Sequence, residues 1–108
     1  MYTTADNNTT ITAKVNAQLR IMLEGNPSTG YSWQRDKFVG KDTQSDATFT
    51  VTSTYAQSTK GLIGAPGEYT FQVVPLKAGT HTLTLVYARS FEGVKSSDEK
   101  FVLHITAE

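Results

Sequence analysis

The sequence contains no cysteine among its 108 residues. That absence excludes disulfide bonds, thiolate zinc sites, iron–sulfur clusters and a cysteine nucleophile. Ten Lys and Arg balance ten Asp and Glu, so the chain lacks the basic excess that nucleic acids or acidic membranes attract. No apolar run approaches the ~20 residues that cross a bilayer, and we expect no secretory signal at the N-terminus. With only two histidines, neither a histidine-rich metal site nor a cofactor is expected.

Residue types that favour β-strands dominate instead. Threonine, valine, isoleucine and the three aromatic types make up 40 of the 108 residues. The length fits one domain, 1–108, in which the polar, aperiodic segment 1–8 is expected to be a flexible terminus.

Apolar and polar residues alternate with period two in seven segments, which predicts seven strands. These segments are 10–15, 18–23, 31–34, 48–55, 68–73, 82–87 and 101–106. No segment carries a helical stripe. Seven short strands in about 100 residues predict an all-β, immunoglobulin-like antiparallel β-sandwich without its usual disulfide.

Three connections have an unusual composition: the first loop (24–31), the second loop (56–67) and the third loop (88–99). Consecutive loops of a sandwich alternate between its two ends, so the first and third loops are expected at the same end. We interpret the second loop as a crossing between the two sheets, which leaves its end undetermined.

The first loop combines Asn26, Pro27 and Gly30, which are turn-forming residues, with the hydroxyl pair Ser28 and Thr29. This composition fits a stiff, protruding binding turn, although turn chemistry by itself favours an ordinary tight turn.

The other two loops carry apolar residues that either bind a partner or fold back onto the sandwich. Leu62 and Ile63 lie in the glycine-flanked second loop. In the third loop, Arg89 and Phe91 are residue types that anchor protein interfaces, but alone they fit a core edge and a solvated charge better.

Taken together, the three loops resemble those of the chagasin family of cysteine-peptidase inhibitors. The family's first motif, Asn-Pro-Thr-Thr-Gly followed by Tyr or Phe, stands here as Asn26-Pro27-Ser28-Thr29-Gly30-Tyr31. Its glycine cluster is matched by Gly64-Ala65-Pro66-Gly67, and its Arg-Pro-Trp/Phe motif by Arg89-Ser90-Phe91. Pro66 and Ser90 depart from the family pattern, and Ser90 in place of proline is expected to loosen the third loop by ~0.5–1 kcal/mol of preorganisation.

The resemblance implies a reversible, tight-binding inhibitor that occludes the active-site cleft of papain-like peptidases, such as papain and cathepsin L-type enzymes. Thr29 would lie nearest the catalytic Cys and His of the enzyme, the second loop along the non-primed side, and Arg89 and Phe91 on the other side. The implied peptidase-binding residues are Asn26, Pro27, Ser28, Thr29, Gly30, Tyr31, Leu62, Ile63, Gly64, Ala65, Pro66, Gly67, Arg89, Ser90 and Phe91. The free chain is expected to be a monomer without cofactor or metal, in the cytoplasm or a lysosomal or vesicular compartment, or secreted after removal of a leader.

Two other functions compete with inhibition. An adhesion or carbohydrate-binding module would expose Tyr31, Trp33, Tyr55 and Phe91, but the first three fall on apolar-alternating faces, which favours burial in the core.

An enzyme would need a matched catalytic set. His81 shares the face of Leu83 and is expected to be partly buried, whereas His104 alternates to the wet face. The neighbours Asp98 and Glu99 make a poor acid–base pair. We therefore predict that the chain is not an enzyme.

Overall fold

A computed structural model describes residues 1–57 and 67–108, and it contains the seven predicted strands. They are β1 (Thr9–Ala13), β2 (Leu19–Gly25), β3 (Tyr31–Arg35), β4 (Phe49–Ala56), β5 (Gly67–Pro75), β6 (Gly79–Arg89) and β7 (Glu99–Ala107). Of three short 3-10 helices, Thr4–Asp6 precedes β1, Pro27–Thr29 joins β2 to β3, and Asp36–Phe38 follows β3. In these described ranges no helix is long and apolar enough to span a membrane.

The strands form two sheets whose inner faces make one core. One sheet has the order β1-β7-β6-β3 and the other the order β2-β5-β4. Because successive side chains of a strand point to opposite faces, every second residue of β2, β5 and β7 is buried. Fully buried side chains include Ile21, Leu23, Phe49, Phe71, Val73, Leu83, Leu85, Phe101, Leu103 and Ile105.

The connection of β4 to β5 differs from the interpretation made on the sequence. Ala56 pairs with Glu68 in an antiparallel ladder, so β4 and β5 are neighbours in one sheet. The second loop therefore closes a hairpin, and its interpretation as a crossing between sheets is wrong. Its long, glycine-containing sequence carries no local signal that distinguishes a hairpin from a crossing.

One strand pairing is parallel rather than antiparallel. β1 runs beside β7, with Thr9 opposite Leu103 and Ala13 opposite Ala107. The turn at 14–18, in which Asn16 adopts a positive φ of 70°, carries the chain across to β2 in the other sheet. β1 and β2 are consecutive in sequence but are not a hairpin.

The segment ahead of β1 makes contacts with the sandwich. The Tyr2 amide donates to the Arg20 carbonyl (2.9 Å), and the Met22 amide donates to the Tyr2 carbonyl (2.8 Å). Thr3 and Asp6 form a capping box on the helix Thr4–Asp6. The flexibility expected of residues 1–8 stays a prediction.

An ion pair fastens the connection between β3 and β4. Arg35, almost fully buried, donates to Asp46 (3.1 Å) and to the Gln44 carbonyl (3.0 Å). The Asp46 carboxylate also accepts from the amides of Thr48 and Phe49, both at 2.9 Å. Burial alone would raise the pKa of Asp46, but these hydrogen bonds and the Arg35 charge together hold it below its usual value.

Candidate functional site

The first loop is a capped single turn. Asn26 caps the 3-10 helix Pro27–Thr29, and its side-chain oxygen accepts from the Ser28 amide (3.2 Å) and hydroxyl (2.6 Å). The Asn26 carbonyl accepts from the amide (3.2 Å) and the hydroxyl (2.7 Å) of Thr29. Pro27 opens the helix at a position that needs no amide hydrogen. The polar groups of this exposed turn therefore satisfy one another, so it is ordered before it meets a partner.

Gly30 ends that turn in the left-handed region, with φ of 86°. Its amide donates to the Pro27 carbonyl at 3.0 Å. A Cβ at Gly30 would lie 3.5 Å from the Phe91 ring, which is ordinary contact, so space does not require glycine here. The backbone conformation requires glycine, because an L-residue in the left-handed region costs ~1–2 kcal/mol.

Three aromatic rings support the first loop from below. Tyr87 of β6 lies between Tyr31 (5.3 Å between centroids) and Trp33 (5.2 Å). Trp33 is 3% exposed, and its indole N–H donates to the Glu24 carbonyl at 3.0 Å. The Tyr87 hydroxyl accepts from the Asn26 amide (2.8 Å) and donates to the Asn26 carbonyl (3.2 Å).

Arg89 joins the first loop to the third loop. Its Nε donates to the Thr29 carbonyl (3.3 Å), and its guanidinium lies over the Tyr31 ring at 4.6 Å. A further nitrogen pairs with Glu92 at 3.6 Å. The expectation that the first and third loops share one end of the sandwich is thus confirmed.

Phe91 is the most exposed large apolar side chain in the described part of the chain, with 77% of its surface accessible. The turn that presents it is tight, since the amides of Glu92 (3.0 Å) and Gly93 (3.1 Å) both donate to the Arg89 carbonyl. Lys95 pairs with Glu92 at 3.2 Å. A ring with this exposure is not folded into the edge of the core, which was the other interpretation of Phe91 on the sequence.

Ser90 has partners that the sequence did not predict. Gln34, a buried residue of β3, donates through its amide group to the hydroxyls of Ser90 (3.1 Å) and Ser32 (2.9 Å). Its amide oxygen accepts from the Gly40 backbone at 2.7 Å. These bonds tie the third loop to β3 and oppose the loosening expected from the loss of proline at this position.

The second loop is described only at its two ends. Gly67 begins β5 and pairs with Gly25 at the end of β2, so the second loop finishes beside the first loop; it starts at Ala56, on the other side of β5. A Cβ on Gly67 would overlap Tyr55 and the Ala56 carbonyl, which explains a glycine there. The predicted binding residues Leu62, Ile63, Gly64, Ala65 and Pro66 lie outside the described residues.

Tyr69 packs beside Gly25 at the base of the first loop. Burial, followed by the neighbouring Tyr87 and Tyr55, raises the pKa of Tyr69 to about 12, so its hydroxyl keeps its proton at neutral pH. In residues 1–57 and 67–108 no three His, Asp or Glu side chains converge as metal ligands.

The competing adhesion hypothesis needs an exposed aromatic platform. Trp33 is buried, and Tyr31 and Tyr55 are half-buried against neighbouring rings, whereas Phe91 stands alone in solvent. A single ring does not make the platform that this alternative requires. The expected partial burial of His81 is confirmed, and its ring packs edge-on against Phe49.

A seven-stranded sandwich of two sheets, with the first loop, the third loop and both ends of the second loop at one end, has the immunoglobulin-like fold. The chain matches the chagasin family peptidase inhibitor I42 over residues 12–105. It is 35% identical to chagasin of Trypanosoma cruzi over 107 residues, which cover 97% of this chain and 94% of chagasin.

Two solved structures extend the similarity to the fold. Leishmania mexicana ICP superposes with a TM-score of 0.80 at 42% identity, over 95% of this chain and 90% of that one. The cysteine protease inhibitor EhICP2 of Entamoeba histolytica superposes with a TM-score of 0.75 at 25% identity, over 99% and 92%. The chain belongs to the chagasin family of cysteine-peptidase inhibitors. The predicted sandwich, and the prediction of an inhibitor rather than an enzyme, are confirmed.

Proposed function

We propose that the first and third loops form one preassembled wedge that enters the active-site cleft of papain-like cysteine peptidases and blocks it sterically. The observation that carries this proposal is the junction at Arg89. This side chain bonds the Thr29 carbonyl while the adjoining turn holds Phe91 in solvent beside Gly30. A wedge that is ordered before binding loses little conformational entropy when it docks.

Each side of the wedge has its own role. Thr29 at the apex of the first loop approaches the catalytic Cys and His of the enzyme, and Phe91 enters an apolar pocket on one side. The second loop, which starts and finishes at the same end of the sandwich as Gly25, covers the other side of the cleft. Arg89 acts from within the wedge, because its guanidinium is already shared among Thr29, Tyr31 and Glu92.

Inhibition on this proposal is reversible and involves no covalent bond. The Thr29 hydroxyl donates to the Asn26 carbonyl at 2.7 Å and has no basic side chain among its hydrogen-bond partners in the described ranges, so it is not activated as a nucleophile. Ser28 is likewise bonded to the Asn26 side chain. The enzyme's thiol is covered rather than modified.

The test is a titration of active-site-calibrated papain and of a cathepsin L-type enzyme with the purified chain, followed with a fluorogenic substrate. We expect stoichiometric inhibition that is reversed on dilution, with the inhibitor recovered uncleaved, and no effect on trypsin, a serine peptidase. No inhibition of either enzyme at micromolar concentration would overturn the proposal. Inhibition that fades as the chain is cleaved would instead mark it as a substrate.

A further inference from the structure

Tyr87 lies outside every loop motif, yet its hydroxyl bonds the first loop at Asn26. It belongs to β6, where it pairs with Trp33 across the sheet. Its ring packs between Tyr31, nearly parallel at 25°, and Trp33, tilted at 36°. Because the rings of Tyr31 and Trp33 both pack against it, the Tyr87 side chain has little rotational freedom, and the position of its hydroxyl is fixed.

That hydroxyl bonds both backbone groups of one residue. It accepts from the Asn26 amide at 2.8 Å and donates to the Asn26 carbonyl at 3.2 Å. The same carbonyl accepts from the amide and the hydroxyl of Thr29. Asn26 is also the cap of the helix Pro27–Thr29. The position of the whole turn therefore depends on where Tyr87 holds its first residue.

Gly25 allows this close approach. A Cβ at Gly25 would lie 3.1 Å from the Tyr87 ring and 2.8 Å from the Tyr69 ring, both tighter than ordinary contact. Its φ is not in the left-handed region, so glycine is needed here for space rather than for backbone conformation. Gly25 and Tyr87 thus work as a pair, in which the missing side chain of one lets the ring of the other reach the loop.

We propose that Tyr87 is a positioning residue for inhibition, whose hydroxyl sets the height and register of the first loop. This inference rests on the proposed function. Part of the affinity for the peptidase then depends on Tyr87, a half-buried strand residue, and not on the loop motifs alone. Since the rings of Tyr31 and Trp33 support the phenol without using its oxygen, the hydroxyl can be removed while the packing remains.

The experiment compares Tyr87→Phe with Tyr2→Phe, which also removes one phenol oxygen from a half-buried ring but lies against Arg20 and Met22, away from the loops. Three quantities are measured on each protein: the inhibition constant for papain, the melting temperature, and amide hydrogen exchange at Asn26, Thr29 and Gly30. The exchange measurement needs no enzyme, so it tests the positioning role even if the wild-type chain proves not to inhibit papain.

For Tyr87→Phe we expect about tenfold weaker inhibition and faster exchange at those three amides, because two hydrogen bonds to the loop are lost. The melting temperature should fall by about 4–8 °C, because hydrogen bonds of the folded chain are lost, and the variant should stay fully folded at the assay temperature. Tyr2→Phe should change neither the inhibition constant nor the three exchange rates. Gly25→Ala, which pushes on the Tyr87 ring from the other side, should also weaken inhibition.

Two results would overturn the inference. One is an inhibition constant and exchange rates for Tyr87→Phe within twofold of those for Tyr2→Phe. The other is a fall in melting temperature that accounts for the lost inhibition, with exchange accelerated equally throughout the sheets, since that would make Tyr87 a stabilising residue of the fold only.

Discussion

Replacing Phe91 with alanine is the most direct way to measure what the wedge gains from its exposed ring. The side chain is 77% accessible in the free chain, so its removal should leave the fold intact. Whatever the substitution costs should therefore appear in binding and not in stability.

The magnitude follows from the accessible surface. A phenylalanine offers about 200 Å² for burial, of which the exposed fraction of Phe91 leaves about 150 Å² to be covered by an enzyme. At about 25 cal/mol per Å² this surface is worth at most about 4 kcal/mol. Incomplete burial and the area that alanine still covers reduce the figure to about 2 kcal/mol, or roughly a thirtyfold rise in the inhibition constant.

The assay is the papain titration with wild type, Phe91→Ala and Leu76→Ala in parallel. Leu76 is a second exposed apolar residue, 37% accessible, and follows β5 at the end of the sandwich opposite the loops. The Leu76→Ala variant should inhibit papain with the same inhibition constant as wild type. A Phe91→Ala protein that inhibits within threefold of wild type would refute the reasoning, and so would an equal loss in Leu76→Ala.

The remaining predictions concern the backbone of the first loop and two titrating groups. Gly30→Val should weaken inhibition more than Thr29→Ala in the same titration, because valine is strained at φ of 86° while the threonine loses one small contact; the reverse order would show that the loop tolerates a side chain there. Asp46→Asn should lower the free energy of unfolding at pH 7 by about 1–2 kcal/mol, because it uncouples the buried Arg35. Since the pKa of Asp46 is lowered in the folded chain, its stabilisation is complete above about pH 4 and is lost as the pH falls through the folded value. Urea midpoints should therefore depend less on pH in the acid range for Asp46→Asn, and parallel profiles would contradict this. Because burial raises the pKa of Tyr69 to about 12, its stabilisation is complete below pH 10 and is lost as the pH rises towards 12; Tyr69→Phe should flatten the alkaline limb of the same profile.

Alternation along the strands was sufficient to predict the seven strands and most of the core, although Gln34 and Val86, on the opposite face of their strands, are buried as well. Ile21 and Leu23, for example, are buried, while Arg20 and Glu24 on either side of them are exposed and Met22 between them is half-buried. Alternation is a local signal, because in a strand with one buried face every second residue of the sequence is apolar. The turn at Asn26–Gly30 could be predicted from the sequence for the same reason, since helix capping and a positive φ each select particular residue types at neighbouring positions.

Contacts between distant positions could not be predicted in this way. Tyr87 and Asn26 are separated by 61 positions, and Gln34 and Ser90 by 56. A tyrosine in an alternating strand gives no sign of which backbone its hydroxyl reaches. Knowing that β6 runs antiparallel to β3 would have placed Tyr87 beside Trp33, but pairing partners depend on which strands share a sheet, which alternation does not record.

The pairing of β6 with β7 also determines where the protein can be attached to a surface without blocking its loops. Gly79 and Arg89 are the two ends of β6, and at about 3.3 Å per residue they stand ~33 Å apart. Ala107, near the end of the chain, pairs with Gly79 and so lies at the end remote from Phe91. A linker joined after Glu108 would attach the inhibitor to a surface or a carrier with its loops facing outward, and an enzyme could approach them without touching the support.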